Sequence, residues 1–519
     1  MFGATLVGKG IDDISWYALY NAVLAIGCRT FLAAESTYDF RSAEEEALGY
    51  FKNALAVHME LVHSRTSLMS VQVMRILTAT SPLGVFGQGV ATPQLDYMLS
   101  SLAARVAQAK GLHKRCYPDC GLTTEQIDER SNVFWSTYVL DKIVSLRSGR
   151  PSAINDDDVS CVFPPGRPPS SSGPLQNEDN THPIFIQITR LARIISKICC
   201  RFYSASSLTK DIVSLIPTRD AIERDLCLWR DSLPDFCHPN KPIRLARMGP
   251  HSHPNQALFL RFTYYDAVCA LHRRFTAPYL FCDEDRSLVA DQEQPAWRRH
   301  SVSRSLESAR QMVLSTKYIE VLASTPSWLL VYFPLTALLT LFTHTIANPT
   351  SAAAPKDTAL MGVINGLFGH LEFLAPGLMN LRHAVEFERV ARGVVTAANT
   401  SSTTSEHHTS CVATAATAVA AADSSPSSFS LDNLYHDNPM SDHFPHLFVH
   451  LEQHQDHHDH DPHTATTAAT ATTGINATSP GFAEWDMAGI TFDMPSCGDG
   501  DGDGGGGNGI EGGMVVSSG

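Results

Sequence analysis

The sequence predicts an all-α body of many helices followed by a long disordered acidic tail. Three observations carry this. Apolar residues recur at helical spacing up to about residue 395. Period-two alternation is scarce in the body, and its one Asn-Gly pair, Asn365-Gly366, falls inside a helical stripe rather than between alternating strands. After Arg392 the composition turns to Thr, Ala, Ser, Gly and His, and the aliphatic period disappears. The chain has 519 residues, more than one compact core holds, since single cores stop growing near roughly 250–300 residues. The expected division is a helical unit over 1–395, with a flexible break near 165–182, and a low-complexity tail over 396–519.

In chain order, Trp16, Leu19, Tyr20, Val23, Ile26 and Phe31 form the first helical stripe. Leu95, Met98, Leu99, Leu102 and Val106 form the next, in a helix expected to run from Pro93, suited to a first turn, to Gly111, suited to a left-handed cap. Ile184, Ile188, Leu191, Ile195, Ile198 and Phe202 follow, then Ile222, Leu226, Trp229 and Leu233. Phe259, Phe262, Tyr265, Val268 and Leu271 mark another helix, and Leu306, Ala309, Val313 and Thr316 one more. Leu360, Ile364, Leu367, Leu371 and Leu374 precede a last helix through Leu381, Val385 and Glu388. Six prolines between Pro164 and Pro183 forbid regular structure there. Breaks are also expected over Pro234–Pro254 and Ala347–Pro355.

Charge is placed unevenly. Residues 397–519 hold 16 Asp/Glu and no Lys or Arg, whereas the rest holds all 39 Lys/Arg and 37 Asp/Glu. A nearly neutral body argues against a large basic face for nucleic acid. No secretory signal opens the chain, so the sequons at Asn399 and Asn476 carry no meaning. The twelve cysteines show no paired C-x2-C knuckles, and read as small hydrophobes of a reducing compartment. Between Val321 and Pro355 there is no Asp, Glu, Lys or Arg, and Trp328–Ile346 is long enough to span a bilayer. Pro334, four threonines, His344 and the lack of a basic flank favour a buried core helix instead, so no membrane partner is expected.

The densest local motif runs from Val133 to Asp158. Phe134, Tyr138 and Asp141 share one helical face; Gly149 permits the left-handed stop and Pro151 prevents continuation. Asn155 or Asp156 then caps a short helix. Asp156, Asp157 and Asp158 are consecutive, with no second carboxylate cluster to face them, so a metal-dependent helical enzyme is the weaker alternative and no catalytic or metal residue is assigned.

Phe134-Trp135-x-x-Tyr138-x-x-Asp141, Gly149-Arg150-Pro151 and Ile154-x-Asp156-Asp157-Asp158 resemble the signature of the fungal-specific transcription factor domain, the middle homology region of the binuclear zinc-cluster regulators. Ala18–Gly27, Ala103–His113, Leu271–Phe275 and Ser305–Arg310 resemble further elements of that domain in the same order, with Arg274 where proline is usual and Ser305 where cysteine is common. The resemblance spans roughly 11–375. It implies a non-enzymatic, nuclear transcription regulator, with Phe134, Trp135, Tyr138, Asp141, Gly149, Arg150, Pro151, Asp156 and Asp157 in structural roles. It also implies sequence-specific DNA binding through a six-cysteine zinc cluster. No cysteine precedes Cys28, so that cluster is expected to be missing from this chain, no cofactor is expected in it, and DNA is a partner only if a cluster precedes it. A homodimer is left open. No basic run supplies an import signal.

In the tail, Gly481–Pro495 mixes Phe482, Trp485, Ile490 and Phe492 with Glu484, Asp486 and Asp493. Carboxylates keep such aromatics solvated and available to a coactivator groove, so Phe482, Trp485, Asp486, Phe492 and Asp493 are the candidate activation residues. Phe429–Leu451 is a weaker version. His454, His457, His458, His460 and His463, interleaved with Asp456, Asp459 and Asp461, read as low-complexity drift rather than as a metal site. Gly498–Gly513 follows no strand and is acidic, so it is no phosphate loop.

Overall fold

The computed structural model describes residues 13–34, 39–79, 93–117, 120–164, 184–243, 254–276, 295–376 and 382–403. Of these residues 79% are helical, and there is no strand among them. The prolines of 165–183, the His-rich run and the candidate activation segment 481–495 lie outside them.

Helices α1 (Ile14–Ala34), α2 (Phe40–Ala56), α3 (His58–His63), α4 (Leu68–Ala79) and α5 (Pro93–Ala109) enclose a first apolar cluster built on Leu48, Phe51, Met74, Leu77 and Leu99. The stripe of large residues supplies only part of the buried face of α1: Leu19 and Ile26 are buried. Ala18, Ala22 and Ala25 are buried, while Val23 and Phe31 are exposed. Small side chains let α2 approach closely, and a count of apolar residues misses that because it weighs hydrophobicity and not size.

α5 ends as its Gly111 predicts. Gly111 takes φ 74°, its N–H donates to the Gln108 carbonyl at 2.9 Å, and the Leu112 N–H donates to the Ala107 carbonyl at 3.0 Å. This is the Schellman closure, with Leu112 buried against the core as the motif's apolar partner. α6 (Thr124–Ser148) opens with a capping box between Thr123 and Gln126 and packs on α4, α5 and the next helix, α7 (Ile184–Phe202).

The second and larger cluster is built from the core face of α6 together with α7, α9 (Ile216–Asp231), α10 (Pro254–Thr276), α11 (Ala296–Ser315), α12 (Phe333–Ala347), α13 (Ala354–Leu374) and α14 (Arg382–Thr403), with the one-turn α8 (Ala205–Leu208) beside α7. The expected stripes of α7, α9 and α11 are buried, apart from Ile184 at the start of α7, which is half-buried. On α14 the buried face is Ala384, Phe387 and Ala391, while Val385 is exposed. Buried Val394 and Val395 carry that helix past residue 395, where composition alone places the boundary.

The uncharged segment is a core helix. A π-turn over Trp328–Tyr332 leads into α12, and Leu329, Leu330, Leu335, Leu338 and Leu341 are fully buried. Pro334 would clash with the fourth preceding carbonyl of a regular helix; the wider π-turn ahead of it removes the conflict. By length and composition Ile14–Ala34 and Trp328–Ala347 could each cross a membrane, but 50% and 72% of their most apolar windows are buried inside the protein. The membrane-attached alternative finds no support.

Candidate functional site

The signature residues assemble a clamp at the C-terminal end of α6. Gly149, at φ 65° and ψ 17°, donates its N–H to the Leu146 carbonyl, and the Arg150 N–H reaches the Ser145 carbonyl at 3.2 Å, a second Schellman closure. The chain then doubles back over the helix that it has left. Asp141, 1% exposed, accepts from the Ala153 N–H at 2.9 Å, the Ile154 N–H at 3.2 Å and the Ser152 hydroxyl. Lys142, equally buried, donates from Nζ to Ser152 Oγ at 2.8 Å and to the Ile154 carbonyl. Its Nζ also lies 3.4 Å from Asp156 Oδ1 and 4.9 Å from the Tyr138 ring centroid. The Tyr138 hydroxyl donates to Asp156 Oδ1 at 2.7 Å.

Burial raises the Asp141 carboxyl above its ordinary range, against the opposing pull of Ser152, the Ala153 and Ile154 amides and Lys142. Burial, with Asp156 beside it, pushes the Tyr138 phenol far up. Both groups are thus spent on holding a turn, since every polar atom of the carboxylate faces a donor of the loop.

The remaining signature residues extend the clamp. Phe134 and Trp135 are buried edge-to-face at 5.3 Å, and Trp135 Nε1 donates to the Val162 carbonyl at 2.8 Å. The Ser160 and Cys161 N–H groups both reach the His113 carbonyl, so the Gly-Leu-His turn after α5 is stitched to the same segment. Arg150 lies over the Tyr97 ring at 5.2 Å, and the Tyr97 hydroxyl donates to the Pro151 carbonyl at 3.0 Å. Asn155, not Asp156, caps the 3-10 turn Asp156–Asp158 by accepting from the Asp157 N–H at 3.3 Å. Asp157 and Asp158 are exposed, and these three carboxylates form no group with a histidine or cysteine among the described residues. The helical-enzyme alternative gains nothing here.

A second polar cluster was invisible to sequence reading, because Glu223, His272 and His300 sit on three different helices with no common spacing. Glu223 on α9 accepts from Arg304 Nε at 2.7 Å and meets His300 Nε2 at 2.7 Å. His272 Nε2 on α10 lies 3.6 Å from Glu223 Oε1, which is too long for a hydrogen bond. His272 Nδ1 faces Ser301 Oγ at 3.1 Å. Burial lowers the pKa of His272. Burial would raise that of Glu223, but His272, His300 and Arg304 outweigh it and hold the carboxylate well below its usual range.

Among the described residues the cysteines are free; Cys237 and Cys269 are buried, Cys199 is half-buried with its thiol turned inward, and Cys120 and Cys200 are exposed. Burial pushes the thiols of Cys199, Cys237 and Cys269 up to about 12, which makes them poor nucleophiles.

Comparison with known proteins gives this architecture a family. The model of the Fungal specific transcription factor domain matches residues 16–231, from α1 to the end of α9 and across the whole clamp. An ABC-transporter-regulating transcription factor of Aspergillus oryzae is 32% identical over 401 residues, covering 75% of this chain and 43% of that protein. The Fusaridione A cluster transcription factor of Fusarium heterosporum is 26% identical over 363 residues, 70% of this chain and 65% of its own length. The Activator of stress genes 1 of Saccharomyces cerevisiae is 24% identical over 274 residues, 51% of this chain and 27% of its own. This chain therefore spans less than half the length of its Aspergillus relative. No solved structure matches it. Across residues 16–231, the chain carries a fungal specific transcription factor domain.

Proposed function

We propose that this protein is a transcription regulator in which the helical body controls an acidic activation segment at 481–495, and that it works in the nucleus without catalysing a reaction. The observation that carries this is the match of residues 16–231 to the fungal domain, together with relatives named as transcription factors. The clamp supports it, because Tyr138, Asp141 and Lys142 are engaged in fixing a turn. Phe482, Trp485, Asp486, Phe492 and Asp493 make the contact with coactivators. DNA is a partner only if a zinc cluster precedes this sequence, and a homodimer is the assembly to test with it. The Aspergillus relative's name offers transporter genes as the first targets to examine.

Fusing residues 424–519 to a foreign DNA-binding domain tests the reading. Reporter activation that falls when Trp485→Ala and Phe492→Ala are introduced supports it. A silent fusion, or one indifferent to both substitutions, refutes the activation role. A fluorescent fusion of the whole chain that stays out of the nucleus refutes the location.

A further inference from the structure

We propose that Glu223, His272 and His300 form a binding site for a divalent transition-metal ion of the zinc class, bridging α9, α10 and α11. The proposal stands apart from the regulatory reading. One carboxylate oxygen and two imidazole nitrogens lie within 4.8 Å of one another. Two imidazoles and a carboxylate suit zinc, and equally cobalt or nickel. Bonds of about 2.0–2.1 Å in a tetrahedron set ligand atoms roughly 3.3 Å apart. The 3.6 Å between His272 Nε2 and Glu223 Oε1 already fits; His300 Nε2 lies 2.7 Å from the other oxygen, Oε2, so a small turn of the half-exposed His300 or of the carboxylate brings both imidazoles to one ion.

The buried histidine points to a ligand independently of that spacing. His272 is 0% exposed, and its Nε2 has no hydrogen-bond partner among the described residues. With the proton on Nδ1 donated to Ser301 Oγ, the Nε2 lone pair faces the Glu223 carboxylate, and a buried lone pair facing an anion is stabilised by a cation between them. Ser301 is itself held by Arg219, which donates to it at 3.0 Å while Asp220 matches the Arg219 charge at 2.6 Å. The ring orientation is thus fixed from behind, as in metal sites whose histidines donate their second nitrogen to an outer partner.

Arg304 is the competitor. It holds Glu223 Oε1 with its own charge, yet its side chain is 27% exposed and so has water to turn into. An arriving dication takes its place on the carboxylate. His300, 46% exposed, completes the set from the surface side, which gives the ion a route in. Binding leaves a fourth position to water.

The test uses the full chain with His454, His457, His458, His460 and His463 changed to Asn, which removes a competing ligand set. Cobalt chloride is titrated under visible absorption, and zinc chloride displaces it. The expected result is one equivalent of cobalt with a d–d band, lost in His300→Ala and in Glu223→Gln, with helicity unchanged. Arg304→Gln, which removes the competing cation, is expected to tighten cobalt binding about tenfold. Equal uptake in His300→Ala and the parent chain overturns the site, as does an affinity unmoved by Arg304→Gln. A loss of thermal stability in His300→Ala that zinc neither offsets in the parent nor distinguishes between the two also overturns it, since that is the signature of a purely electrostatic cluster.

Discussion

Replacing Asp141 by Ala removes the acceptor around which the turn 149–158 is folded. Three donors converge on that carboxylate: two backbone N–H groups and the Ser152 hydroxyl. Hydrogen bonds to a charged group are each worth about 1.5–3 kcal/mol, so three would suggest more than the residue delivers. The burial that raises the Asp141 pKa cancels part of it. What remains resembles the loss of one partner from a buried ion pair, about 3–5 kcal/mol, because Lys142 stays buried with Asp156 as its nearest remaining carboxylate at 3.4 Å.

Lys142→Met should cost less, since Asp141 keeps its backbone donors and Met fills the stem's volume. The double variant should then be less damaging than the two single costs added, with a coupling of about 1–3 kcal/mol. Urea denaturation gives the midpoints, and hydrogen exchange at the Ala153 and Ile154 amides gives the local effect. If Asp141→Ala shifts stability by less than about 1 kcal/mol, or leaves those two amides protected, the clamp is not what fixes the turn. Strict additivity refutes the pairing of Asp141 with Lys142.

Gly149→Ala places a Cβ at φ 65° and should cost about 1–2 kcal/mol, with Gly149→Asn milder, as thermal unfolding will show. Arg310 holds Asp357 through two bonds, at 2.7 and 2.8 Å, with the carboxylate 1% exposed and the guanidinium 21% exposed. Arg310→Ala strands a buried anion and should cost about 3–5 kcal/mol, more than Asp357→Ala, which leaves an arginine able to reach water; equal costs would refute the asymmetry. Burial raises the Asp266 carboxyl from 3.8 to about 6. Between those values the native chain keeps a proton that the unfolded chain has lost, so this group's contribution is full below the lower value and is lost as pH rises through the upper one. The loss is about 3 kcal/mol. Asp266→Asn should remove that slope from the difference in stability between pH 4 and 7, and an unchanged slope would refute the assignment.

Much of this was legible because it is local. Gly111 and Gly149 announce their helix ends, since only a residue without a Cβ enters the left-handed cap at no cost. The stripes of α7 and α9 follow from period alone. The face of α1 follows only in part, because Leu19 and Ile26 share it with Ala18, Ala22 and Ala25, whose smallness no hydrophobic period registers. Asp141 could be placed on the core face, but its partners lie 11 to 13 residues on, across a turn whose path no propensity fixes. Glu223, His272 and His300 are 49 and 28 residues apart, and only the packing of three helices brings them together.

The clamp also explains how the N-terminal helices are tied to the larger cluster. Arg147, in the last turn of α6, donates to Asp96 on α5 at 2.5 Å, and its guanidinium lies 5.7 Å from the centre of the Tyr332 ring in the π-turn. The Tyr332 hydroxyl in turn donates to Asp266 on α10 at 3.2 Å. Four groups from four elements thus form one polar chain through a largely apolar interior, where a low dielectric makes each link sensitive to the next. Spatial continuity alone does not establish energetic coupling; a double-mutant cycle does. Arg147→Met and Asp266→Asn replace groups that share no hydrogen bond, although the Arg147 charge acts directly on the Asp266 carboxyl; independent sites would add to within about 0.3–0.5 kcal/mol. A coupling of about 1 kcal/mol or more, lost when Tyr332→Phe is the background, would place the link in that hydroxyl. Additivity in the native background would leave α6 a passive strut between two separately stable clusters.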